Sequence, residues 1–110
     1  MKYGFDLDGT LDRPVIRDLC NILFDAGHEI YVITGGIADT GEWTEEARKE
    51  KLLKIGAKYT KIIRCLKPSF PEIAEEKDRM CKELSIDLFF DDMPVYIDAV
   101  KKNTQCLFVV

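Results

Sequence analysis

Apolar positions along the chain change period several times, and each change marks an element. Lys2–Asp6 reads as a first strand. Behind Pro14, which suits a first helical turn, Val15, Ile16, Leu19, Ile22 and Leu23 keep helical spacing up to Gly27. His28–Ile33 is a near-continuous apolar run and reads as a second strand ending at Thr34. A polar loop follows, and Thr44 caps a helix expected to run to Ile55, with Gly56 as its stop. Lys61–Leu66 is a third strand. Pro68 and Pro71 punctuate a loop, and Glu72–Leu84 is a helix with an Ile73, Ala74, Met80, Leu84 stripe. Leu88–Phe90 is a fourth strand, Pro94–Lys102 a short helix and Cys106–Val110 a fifth strand.

Strict alternation of strand and helix implies an α/β fold: one Rossmann-like domain over residues 1–110, a five-stranded parallel sheet with helices on both faces. In such sheets ligands bind beyond the carboxyl ends of the strands, at the topological switch point. The polar residues fall at those ends: Asp6 and Asp8 after strand one, Thr34 after strand two, Asp91 and Asp92 after strand four.

Composition narrows the partners. Apolar residues make up 46% of 110 residues, enough for a core, and the net charge of −4 speaks against general nucleic-acid backbone binding. Cys20, Cys65, Cys81 and Cys106 form no C-x-x-C pair and read as buried free thiols of a reducing compartment. A cytoplasmic protein without a membrane segment is expected. His28 opens strand two, away from the polar strand ends, and carries no assigned chemistry.

Two carboxylates spaced i, i+2 at the end of a buried strand are costly unless a cation sits with them. A hard divalent ion such as Mg²⁺ is the usual solution, and phosphate the usual anion beside it. Four carboxylates and a hydroxyl on one edge suit phosphoryl transfer: a nucleophile, metal ligands, a phosphate donor and an acid/base. An Asp-Gly turn or a helix cap at Asp91-Asp92 is the plainer alternative for each piece taken alone.

Together the pieces resemble the haloacid dehalogenase-like superfamily of phosphotransferases, across the whole chain and in order. Asp6-Leu7-Asp8-Gly9-Thr10 matches its Asp-x-Asp-x-Thr motif, Thr34 its strand-ending Ser/Thr, and Asp91-Asp92 its acidic pair. The resemblance implies Asp6 as nucleophile and metal ligand. It implies Asp8 as general acid/base, with its backbone carbonyl on Mg²⁺, and Thr34 as a phosphate donor. Asp91 and Asp92 would complete the metal site, with the direct ligand between the two left open. The charge-balancing lysine is Lys77 or Lys67, spacing favouring Lys77. An acid at Asp8 favours a phosphatase over carbon–halogen hydrolysis. The Arg that family members often carry after the second motif is replaced by Gly35 and Gly36.

Such proteins usually carry a cap domain. Here Leu11 leads directly toward the helix at Pro14, and eleven residues separate Cys65 from Lys77, so a minimal capless member is expected. An open site suits a large or polymeric phosphorylated substrate, or closure by a neighbouring subunit in an oligomer. Trp43, in the loop after the second motif, stacks on a substrate or staples the following helix, the second being favoured. Arg13 and Arg17 read as surface residues. The alternatives are a response-regulator-like phosphoacceptor and a non-catalytic phosphoryl-binding module acting through a partner. The first is disfavoured because strand three ends Arg64-Cys65-Leu66, without an Asp.

Overall fold

The computed structural model describes all of residues 1–110. Five strands form one parallel sheet: β1 (Lys2–Phe5), β2 (Glu29–Gly36), β3 (Lys61–Leu66), β4 (Leu88–Asp91) and β5 (Cys106–Phe108), in the order β3-β2-β1-β4-β5. The chain moves outward from β1 to β3, then returns to the other side of β1 for β4. The switch point therefore lies between β1 and β4, where Tyr3, Gly4 and Phe5 pair with Leu88, Phe89 and Phe90. The Asp6 amide extends this pairing by donating to the Phe90 carbonyl at 2.9 Å.

Four helices cover the sheet: α1 (Pro14–Asp25), α2 (Glu45–Ile55), α3 (Phe70–Glu83) and α4 (Pro94–Val100). Strand alternation sends Phe5, Ile30 and Val32 to a core shared with Cys20 of α1 and Leu52 of α2. It sends Tyr31, Ile33 and Phe89 to a second core shared with Ile73 and Cys81 of α3 and Val100 of α4. The sheet is thus buried on both faces, as its nearly unbroken apolar strands require. The Phe5 and Phe90 rings stack with centroids 4.4 Å apart, tying the two switch-point strands together. No helix is long and apolar enough to cross a membrane.

Several boundaries differ from the sequence reading. The second strand does not stop at Thr34. Thr34 pairs with Arg64, and Gly35 and Gly36 continue the ladder opposite Cys65 and Leu66. The third helix starts at Phe70, because Pro71 occupies its first turn. Ser69 caps it, accepting from the Glu72 amide at 3.4 Å while its hydroxyl donates to the Glu72 carboxylate at 2.9 Å. The last helix ends at Val100, short of Lys102, and β5 ends at Phe108, opposite the final β4 residue, Asp91. No domain is inserted between Leu11 and Pro14 or between Leu66 and Phe70.

Candidate functional site

After β1 the chain makes one wide, kinked turn, Leu7–Leu11, before α1. Leu7 and Leu11 anchor it in the core, and Gly9 breaks its regularity with φ +77°. That conformation suits glycine, and so does the space: a Cβ on Gly9 would lie 2.1 Å from an Asp92 carboxylate oxygen. The Thr10 hydroxyl donates to Asp92 Oδ1 at 3.3 Å. The turn therefore brings the end of β4 against the end of β1.

Lys77 lies at the centre of the site. It sits on the inner face of α3 and is fully buried. Its Nζ donates to Asp6 Oδ1 and to Asp91 Oδ2, both at 2.9 Å. The Tyr96 ring lies 4.0 Å from the same nitrogen. Asp91 Oδ1 accepts from the Met93 amide at 3.0 Å, so both oxygens of this buried carboxylate are held. Lys67, the rival in the spacing argument, lies outside the cluster, near Glu72, Glu75, Glu76 and Arg79.

Asp6, Asp91 and Asp92 each offer a carboxylate oxygen within 4.8 Å of the others. Three carboxylates face one ammonium, so the cluster carries excess negative charge. Burial, together with the neighbouring Asp91 and Asp92 charges, outweighs the opposing pull of Lys77 and pushes the Asp6 carboxyl up to about 8. Burial also raises Asp91. Burial alone would lower Lys77, but the Asp6 and Asp91 charges outweigh it and hold the ammonium above its ordinary range. The donor set is all oxygen and anionic, with no histidine, which fits a hard divalent cation rather than zinc or copper.

Asp8 is two residues from Asp6 and behaves differently. Its side chain turns toward α2, where Arg48 Nη1 donates to Oδ2 at 2.8 Å and Lys51 Nζ donates to Oδ1. Burial would raise this half-exposed carboxyl. The Lys51 hydrogen bond and the Arg48 and Lys51 charges outweigh burial and hold it below the usual range. The Asp8 side chain is not among the three carboxylates that could hold a metal ion. Arg48 and Lys51 were not singled out from the sequence. The available signal was Arg48 sharing the i, i+4 row with Leu52 on the buried face of α2.

The Thr34 hydroxyl is buried and has no hydrogen-bond partner. It lies one strand from Asp6, but Thr34 does not line the cavity described next. Arg13 donates to the Val110 carbonyl and Arg17 to the Ile55 carbonyl, while His28 pairs with the Met1 amino group. All four cysteines are free thiols.

A cavity of about 480 Å³ opens over the cluster. Asp6, Asp8 and Asp92 line one side, and Ile37, Trp43 and Phe70 contribute to the rest. Trp43 thus borders the cavity, and its indole packs on Gly36, where a Cβ would sit 2.8 Å from the ring.

No protein-family description matches the chain, and no curated protein matches it in sequence. Among solved structures, a chain of the Pnkp1/Rnl/Hen1 RNA repair complex is similar. The TM-score is 0.78 at 16% identity, over 98% of this chain and 42% of that one. A second structure of the Pnkp1/Rnl/Hen1 complex gives 0.79 at 16% identity, over 98% of this chain and 45% of that one. A universal stress protein from Archaeoglobus fulgidus gives 0.57 at 14% identity, covering 100% of this chain and 98% of its own. At these identities the likeness is one of α/β fold. The chain spans less than half the length of the RNA-repair chains it matches.

Proposed function

We propose that the chain is a Mg²⁺-dependent phosphomonoester hydrolase of the haloacid dehalogenase-like type, working through a phosphorylated Asp6. The observation that carries this reading is the buried Lys77 bridge between Asp6 and Asp91 at the switch point, with Asp92 alongside. A lysine committed to two carboxylates, in a cluster still short of positive charge, suits a site that receives a cation and a phosphate together. The fold likeness to a chain of an RNA repair complex agrees with phosphoryl chemistry.

Asp6, Asp91 and Asp92 would hold the cation. Bound Mg²⁺ would supply the charge that keeps Asp6 ionised and offsets the phosphate. Lys77 fixes Asp6 through Oδ1, and Oδ2 has no protein partner and serves as the attacking oxygen. That oxygen forms a bond to phosphorus as the bond to the leaving alcohol breaks. Asp8 gives its proton to the departing oxygen, then takes one from the water that cleaves the aspartyl-phosphate. For this the Asp8 side chain leaves Arg48 and Lys51, whose pairing favours its ionised form. The resemblance assigns the unpartnered Thr34 hydroxyl to a phosphate oxygen, which it would reach from behind the cavity lining.

The test is hydrolysis of 4-nitrophenyl phosphate with Mg²⁺ or with EDTA, for the wild type, Asp6→Asn and Asp8→Asn. Mg²⁺-dependent turnover lost in both variants is the expected result. Turnover that survives EDTA or Asp6→Asn would refute the mechanism.

A further inference from the structure

The cavity over the carboxylates has two unlike halves. One is acidic. The other is apolar and aromatic, built from the loop after β2 and the start of α3. Trp43, Ile37 and Phe70 belong to this half, and Ile37 and Phe70 are more than half exposed. Exposed apolar side chains beside a polar site mark a surface that a ligand covers.

The aromatic half is also held in place. Arg64 on β3 donates to the Trp43 carbonyl at 3.2 Å and to Asp39 at 2.6 Å. The Trp43 indole rests on Gly36, where any side chain would displace it. Phe70 opens α3, whose first-turn backbone the Ser69 cap holds.

No lysine, arginine or histidine lines the cavity. Lys77 is committed to Asp6 and Asp91, Arg48 and Lys51 to Asp8, and Arg64 to Asp39. A second phosphate or a carboxylate on the substrate would meet no free cation and would face Asp8 and Asp92. An uncharged flat group would find a matching wall.

Resting on the phosphohydrolase reading, we infer that the substrate is a phosphomonoester whose alcohol carries an uncharged aromatic ring, and that Trp43 and Phe70 select for that ring. Bisphosphates and phosphorylated polyanions fit poorly.

Two non-hydrolysable dianions separate the ring from the phosphoryl group: phenylphosphonate and methylphosphonate. Their binding to the Mg²⁺-loaded protein is measured by calorimetry. Trp43 is the only tryptophan, so its fluorescence gives a second readout in the wild type. Phenylphosphonate is expected to bind on the order of tenfold tighter. Phe70→Ala and Trp43→Leu should each reduce that advantage and leave methylphosphonate binding unchanged. Equal affinity for the two ligands would overturn the aromatic subsite while leaving the phosphoryl site standing. A ring advantage that survives both substitutions would overturn it as well. Failure of both ligands to bind would overturn the subsite and the phosphohydrolase reading together.

Discussion

Asp6 and Asp8 leave the same turn two residues apart, and both are ion-paired, yet their environments act on them in opposite directions. Asp6 is buried and shares one ammonium with Asp91, and its carboxyl is pushed up to about 8. Asp8 is half-exposed, pairs with Arg48 and with Lys51, which also reaches Asp12, and is held below the usual range. The difference lies in burial and in the balance of charge: three carboxylates around one ammonium on one side, two cations against a half-exposed carboxylate on the other. The consequences for stability run oppositely. Asp6 penalises the metal-free fold increasingly as pH rises from the ordinary carboxylate range through about 8. Asp8 contributes stability above its unfolded value and loses it as pH falls through its lowered folded value.

Substitutions can break that contrast at several points. The largest expected effect is on activity: Asp6→Asn should lower Mg²⁺-dependent turnover by at least about a thousandfold, measured as kcat on 4-nitrophenyl phosphate. Next is Lys77→Met, which strands two buried carboxylates. It should cost about 3–5 kcal/mol at pH 8 by urea denaturation. The cost should shrink at pH 5, where the stranded acids take up protons. Gly9→Ala forces a side chain into φ +77° and against Asp92, and should cost about 1–2 kcal/mol in the same assay. Asp8→Asn removes a half-exposed pair and should cost less than about 1 kcal/mol. If Asp8→Asn destabilises as much as Lys77→Met, the contrast between the two carboxylates fails.

The sequence made the architecture legible because the strands carry apolar runs, α1 and α4 open at prolines and α2 opens at a threonine cap. Element ends were less legible. Gly35 and Gly36 looked like the start of a loop, yet they continue β2, where their missing side chains admit Trp43 and Ile73. Pro71 looked like a loop marker and instead opens α3. Within the site, the convergence of Asp6, Asp91 and Asp92 follows from strands β1 and β4 being neighbours. The direction of the Asp8 side chain could not be read in this way. It depends on the backbone turn at Gly9 and on where α2 places Arg48 and Lys51, which are tertiary facts. Local pattern marked α2 as a polar helix, and the one sign that Arg48 would be buried was its i, i+4 spacing from Leu52.

The central claim is the proposal that Asp6, Asp91 and Asp92 bind a divalent cation. Melting temperature with and without Mg²⁺, at pH 6 and at pH 8.5, tests it most directly. Because protons compete with the cation for Asp6 below about pH 8, Mg²⁺ should raise the melting temperature at both values and more at pH 8.5. Asp92→Asn should weaken the effect. A melting temperature that does not respond to Mg²⁺ at either pH would contradict the account.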